Sequence, residues 1–224
     1  MPYIISFVQR KGGVGKTTLA VSVASELRRR GADLGLIDAD PQASSCAWAE
    51  PGNLTFPVYE IGLNGDAVTQ WAEQVRKVPH HCIVIDTSPN ERSVAAALAL
   101  STVCLIPCTP SGLDVDATLK TLDIVRAVRE RRRPRLNVVL VPNRVDLRTL
   151  EGRQIVEELL ELGEPVAPAV GARTTFLRAF STGSSVFEQK PGGMADLEIK
   201  ELCNFLEAGF GPASAAPARS YSAG

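Results

Sequence analysis

Lys11-Gly12-Gly13-Val14-Gly15-Lys16-Thr17-Thr18 follows a short β-branched and aromatic run, Tyr3 to Val8, and opens a stretch, Lys16 to Arg30, with apolar residues Leu19, Val23 and Leu27 at helical spacing. Strand, glycine turn and helix in that order are the setting a phosphate-binding loop requires. Glycines let backbone N–H groups turn inward around phosphate oxygens, and the helix N-terminus adds partial positive charge. Lys16 is placed to bridge the β and γ phosphates. Thr17 offers a hydroxyl to Mg²⁺, a cation that also needs carboxylates nearby to organise its water shell. Gly12, Gly13, Val14, Gly15, Lys16, Thr17 and Thr18 are therefore the expected nucleotide-binding residues.

Outward from this loop the pattern repeats. Gly31 has the place of a helix C-terminal cap, and Leu34-Gly35-Leu36-Ile37 reads as a buried strand ending in Asp38. Asp66 to Lys77 looks helical, Cys82 to Ile85 is an apolar run ending in Asp86, and Val103 to Pro107 is another. Asp114 to Arg132 carries Val115, Leu119, Leu122, Val125 and Val128 at helical spacing, Pro134 supplies the stop, and Leu136 to Val141 is one more buried strand. Strands apolar on both faces that alternate with helices imply an α/β fold with a mainly parallel central sheet and helices on both faces. Such sheets bind ligands beyond the carboxyl ends of their strands, which makes Asp38, Asp40, Asp86 and Asn143 site candidates. Residues 1–208 are expected to form a single domain. The small, Pro-rich and almost uncharged stretch 209–224 is expected to be disordered.

Composition narrows the class. Apolar residues at 45% with 22% charged describe an ordinary folded chain, and charged residues interrupt every long apolar run, so no membrane span is expected. Cys46, Cys82, Cys104, Cys108 and Cys203 are an odd count without metal-knuckle spacing, which suits free thiols in a reducing compartment. Together with a start that lacks secretory features, this leads to the expectation of a cytoplasmic chain. The net charge is only −1, yet eleven arginines against seven acids between Arg126 and Arg178 make that segment +4 and the remainder −5.

The position five before Gly15 is Arg10, not the glycine of the ordinary phosphate loop, and a lysine follows it. With that departure the loop resembles the deviant Walker A motif of the ParA/MinD family of P-loop ATPases. Asp38-Ala39-Asp40-Pro41-Gln42 resembles the family's D-x-D-P-Q segment, and Ile83-Val84-Ile85-Asp86-Thr87-Ser88-Pro89 its Walker B strand. The similarity continues through Pro107 to Asp114 and Val141 to Asp146, and covers Tyr3 to about Leu206. The resemblance implies that Lys11 reaches a nucleotide phosphate across an ATP-dependent homodimer, and that Lys11, Lys16 and Asp40 are catalytic, Asp40 positioning the attacking water. It implies Mg²⁺ held through Thr17, Asp86 and Asp38, with Asn143 meeting the adenine of ATP. For Asp38 a helix-capping role stays open beside the metal role.

The same resemblance implies a small ParA-type protein: a slow Mg²⁺-dependent ATPase that binds DNA without sequence preference, associates with the nucleoid and positions a cargo, a ParB-like partner stimulating hydrolysis. Ala172 to Glu188 resembles the family segment whose basic residues face DNA, so Arg173, Arg178 and Lys190 are the first candidates for that contact, with Arg148 and Arg153 next. Arg126 to Arg135 is the densest basic run, but it closes a helix, where cations also favour the C-terminal dipole, so both roles stay open there. A MinD-like division regulator and a metal- or cofactor-assembly ATPase are the competing readings.

Overall fold

Why the strands are apolar on both faces becomes clear once they are laid side by side. The computed structural model describes residues 2–63, 65, 67–132 and 136–211. It contains β1 (Tyr3–Phe7), α1 (Lys16–Arg29), β2 (Leu34–Ala39), α2 (Ser44–Ala49), β3 (Val58–Glu60), α3 (Val68–Arg76), β4 (Cys82–Thr87) and α4 (Glu91–Leu100). There follow β5 (Val103–Cys108), α5 (Gly112–Arg131), β6 (Asn137–Val145), α6 (Leu150–Leu160), β7 (Val170–Gly171), α7 (Thr174–Thr182), α8 (Val186–Gln189) and α9 (Met194–Phe210). The strands form one seven-stranded sheet in the order β3-β2-β4-β1-β5-β6-β7, and every pairing is parallel.

Period-two alternation sends Ile5 and Phe7 into a core layer with α1, α2, α7, α8 and α9, and Ile4 and Val8 into a second layer with α3, α4, α5 and α6. β1 sits between β4 and β5. Its own loop leads to α1 on one face, while both neighbours feed helices on the other. A crevice opens beyond strand ends where connections diverge in this way.

The expected architecture of a parallel sheet between helices is the one observed, and the differences lie in short elements and in the C-terminal third. β3, α2 and α4 were not anticipated, β6 runs on to Val145, and the elements after it, α6, β7, α7, α8 and α9, were not assigned from the sequence. Of the basic run, Arg126 pairs with Asp123 (2.6 Å), Arg129 clamps Glu164, and Arg132 donates to the Leu98 carbonyl (2.6 Å), so these cations serve the end of α5 and its neighbours. Arg133, Pro134 and Arg135 lie outside the described residues. α9 continues to Phe210, past the expected boundary at 208, and 212–224 lie outside the described residues. All five cysteines are free thiols. Among the described residues no helix is long and apolar enough to cross a membrane.

Candidate functional site

The chain leaves β1 through Gln9, a fully buried residue whose amide is satisfied on both ends. Its Oε1 accepts from the Arg10 amide (2.8 Å) and Thr121 Oγ1 (2.7 Å), and its Nε2 donates to Thr118 Oγ1 (3.0 Å). These bonds pin the start of the loop to α5. Gly13 (φ 77°) and Gly15 (φ 95°) then turn the backbone through the left-handed region. A Cβ at Gly12 or Gly13 would meet nothing within 4 Å, whereas one at Gly15 would strike the Asn143 side chain. The loop is therefore open on its inner side and closed behind. The first turn of α1 holds no acidic residue, so its N-terminal partial charge is available to an anion.

Lys16 is 7% exposed and donates to the Lys11 carbonyl (3.2 Å). Burial lowers its pKa, and Asp86 and Asp40 oppose that shift. Lys11 itself forms an ion pair with the buried carboxylate of Asp114, which also accepts from Thr109 Oγ1.

Asp38 and Asp86 stand opposite each other on β2 and β4. Asp38 Oδ1 accepts from the Asp40 amide (3.1 Å), and its Oδ2 accepts from the amides of Ser45 (2.8 Å) and Cys46 (3.0 Å). It thus fastens the first turn of α2. Asp86 Oδ2 accepts from Ser45 Oγ (2.9 Å), while its Oδ1 is buried and without a hydrogen-bond partner among the described residues. Burial pushes the Asp86 carboxyl up to about 7, Asp38 adds to the rise, and Thr17, Ser45 and Lys16 oppose it. A lone buried carboxylate oxygen near the Thr17 hydroxyl suits a hard divalent cation such as Mg²⁺, which takes oxygen donors. Asp86→Asn removes this poorly compensated charge, so the ligand-free chain is expected to melt several degrees higher in calorimetry at pH 8, since ~1 kcal/mol corresponds to about 2–4 °C at this size. No rise would mean that the carboxylate is compensated in some other way.

The crevice above the loop has a volume of ≈ 1060 Å³. Its polar half is the loop with Asp40, Ser88 and Asn90, and its apolar wall is Trp48, Phe176, Leu177 and Phe180. Asp40 is half-buried, with Oδ1 accepting from the Gln42 amide (3.0 Å). Trp48 Nε1 donates to the Ser184 carbonyl (3.0 Å), and the ring meets Phe180 edge-on with centroids 5.4 Å apart. Asn143 is buried behind Gly15, its Nδ2 donating to the Val14 carbonyl (2.7 Å). Arg144 beside it is exposed at φ 54° and lines the same crevice.

Of the predicted nucleotide and metal residues, Lys16, Thr17, Asp40 and Asn143 line this crevice, Asp38 and Asp86 are fully buried at the ends of β2 and β4, and Lys11 is held aside by Asp114. The structure does not gather the five basic residues. Arg173 lines the crevice and is held by Glu198 (2.6 Å), Arg148 pairs with Asp146 (2.7 Å), and Arg153 turns back to the carbonyls of Leu147 and Arg148 (both 3.4 Å). Arg178 on α7 and Lys190 at the end of α8 are exposed, and neither forms an ion pair among the described residues. Ser45, Trp48, Arg144 and the apolar wall went unnoticed in the sequence. The one local sign was the placement of Ser45 just after Asp40. A second cavity of ≈ 170 Å³ between α1, α8 and α9 has both of its buried carboxylates paired, Glu26 with Arg29 and Arg30, and Asp196 with Lys200.

Comparison with known proteins bears on the family and the fold. Residues 5–186 match the model of the CobQ/CobB/MinD/ParA nucleotide binding domain. The chain is 29% identical over 207 residues, 90% of its length and 95% of the relative's, to the maintenance of carboxysome distribution protein A of Halothiobacillus neapolitanus. Its fold is similar to that of apo McdA from Cyanothece, with a TM-score of 0.78 at 16% identity over 92% of this chain and 100% of that one. It is also similar to the septum site-determining protein MinD of Pyrococcus horikoshii complexed with Mg-ADP, with a TM-score of 0.75 at 16% identity over 95% and 100% of the two chains. A match over most of the chain, on a parallel sheet whose central strand delivers a lysine-flanked glycine loop, makes this protein a member of the CobQ/CobB/MinD/ParA nucleotide-binding family.

Proposed function

We propose that the chain is a ParA-type ATPase that dimerises on ATP, binds DNA without sequence preference and positions a cargo, a ParB-like partner accelerating hydrolysis in the cytoplasm at the nucleoid. The observation that carries the reading is the pairing of Lys11, an extra cation at the mouth of the loop, with a phosphate cradle backed by Asp86 and Asp40. Lys16 and the loop amides neutralise the β and γ phosphates. Thr17 and Asp86 Oδ1 hold Mg²⁺, with Asp38 anchoring the segment that carries Asp40. Bound there, Mg²⁺ offsets phosphate charge as it develops. Asp40 orients the attacking water and accepts its proton. Asn143 fixes the loop and borders the adenine.

Lys11 is balanced by Asp114 within its own chain, and in the dimer it exchanges that carboxylate for a phosphate of the nucleotide in the facing subunit. Two triphosphates brought together repel, and a lysine donated from each side offsets the repulsion. Leu113, beside that ion pair, and Leu177 and Phe180 on the crevice wall are 74%, 70% and 46% exposed, apolar surface that a second copy would cover. For DNA, Arg178 and Lys190 are the two of the five candidates without an acidic or carbonyl partner among the described residues, so they take precedence over Arg173, Arg148 and Arg153. The likeness to a carboxysome-distribution protein favours a protein assembly as cargo over a plasmid or chromosome origin.

Gel retardation of a random duplex with ATP, ADP or no nucleotide across a salt series tests this. ATP is expected to tighten binding strongly, and Arg178→Ala with Lys190→Ala to flatten the salt slope by about 0.9 for each phosphate no longer neutralised, with ATPase activity retained. Equal affinity in all three nucleotide states would overturn the partition reading. ATP-dependent capture by anionic vesicles instead of DNA would favour the MinD-like one.

A further inference from the structure

We propose that Ser45 is a positioning residue for the metal: its hydroxyl holds Oδ2 of Asp86 so that Oδ1 faces the cation beside Thr17, and it thereby sets Mg²⁺ affinity separately from nucleotide affinity. The inference rests on the reading that Thr17 and Asp86 hold Mg²⁺.

Three observations converge on Ser45. It is fully buried, and its own amide is fixed on Asp38 Oδ2 at 2.8 Å, so the backbone beneath the hydroxyl is set by the neighbouring strand. Its Oγ lies 2.9 Å from Asp86 Oδ2, while Asp86 Oδ1 has no hydrogen-bond partner among the described residues. The turn that brings it there passes through Ala43 at φ 50°, a strained conformation for a residue with a Cβ. A backbone held in such a state is sustained by its surroundings, here by the two amide bonds onto Asp38.

A carboxylate with one oxygen tethered has one orientation for the other. Without the tether, Asp86 keeps only its interaction with Thr17 and can turn toward the Lys16 ammonium, whose charge already bears on it, drawing the oxygen meant for the metal into an ion pair. Groups that orient a metal-bound carboxylate in this way are worth about 10–100-fold in metal affinity. Among the described residues the hydrogen bonds of Ser45 go to Asp38 and Asp86 and not to Lys16 or the loop amides assigned to phosphate, so the loss is confined to the metal.

The test is a titration of MgCl₂ into the full chain saturated with a fluorescent ADP analogue, beside nucleotide titrations in EDTA. Ser45→Ala is expected to raise the half-saturating Mg²⁺ concentration by about tenfold or more while the affinity in EDTA stays at the wild-type value. Ser45→Thr, which keeps the hydroxyl, restores the metal response. Unchanged Mg²⁺ affinity in Ser45→Ala overturns the inference, as does an equal loss with and without metal or an equal loss in both variants. Should the alanine variant fail to fold by circular dichroism, Ser45→Cys preserves the volume with a poorer donor. It is expected to give an intermediate rise, and no rise overturns the inference. A wild-type chain indifferent to Mg²⁺ would sink the metal reading itself and the Ser45 role with it, an outcome distinct from a variant that matches a responsive wild type.

Discussion

Lys16→Ala is expected to leave a folded chain that no longer retains ATP. The ammonium sits almost out of solvent, on the carbonyl of Lys11 and under the influence of Asp86 and Asp40. Its removal deletes the charge that meets the β and γ phosphates and leaves two carboxylates facing an incoming tetra-anion. Truncating one partner of a desolvated charge pair costs roughly 2–5 kcal/mol or more, which translates into a loss of ATP affinity of about 30-fold to several thousand-fold. Isothermal titration with a non-hydrolysable analogue and Mg²⁺ checks it. Affinity close to wild type would remove Lys16 from the phosphate site.

The second large effect is on turnover alone. Asp40 lines the crevice and is half-buried, and among the described residues no cation pairs with it. Its side chain is engaged in the turn it makes with the Gln42 amide. Asp40→Ala is expected to bind ATP nearly as well as wild type and to cleave it about 10²–10⁴-fold more slowly, the usual worth of a positioned general base. Asp40→Asn separates the two roles of the carboxylate, because an amide oxygen keeps the turn and cannot take a proton. Both variants should therefore stall, and ATP-loaded dimers should accumulate on size exclusion with Mg²⁺ present. Turnover restored by asparagine would make Asp40 a turn residue and leave the base unassigned.

The strand, loop and helix around Lys16 and the three aspartates at strand ends were legible in the sequence because their signals are local. Glycine at positive φ, apolar strands closed by an acid and a helix beginning on Lys-Thr are each read within a few residues. β3 was not legible, since two half-buried residues and one exposed residue at a sheet edge carry no periodicity. Ser45 and Trp48 were silent for another reason: their partners lie 41 and 136 residues away, and no propensity announces them. Among the basic residues, sequence ranked Arg173 with Arg178 because both lie in the Ala172 to Glu188 segment that resembles the family's DNA-facing one. Only the fold shows that Glu198, 25 residues on, holds one and leaves the other to solvent.

The position of Trp48 has a practical side. The chain contains just two tryptophans, and Trp71 is sealed in the opposite layer with its indole on the Ile61 carbonyl (2.9 Å). Trp48 alone borders the crevice, edge-on to Phe180. The Trp71→Phe chain therefore keeps one native fluorophore, buried in the wall of the crevice, and nucleotide loading and release are expected to change its emission without an attached dye.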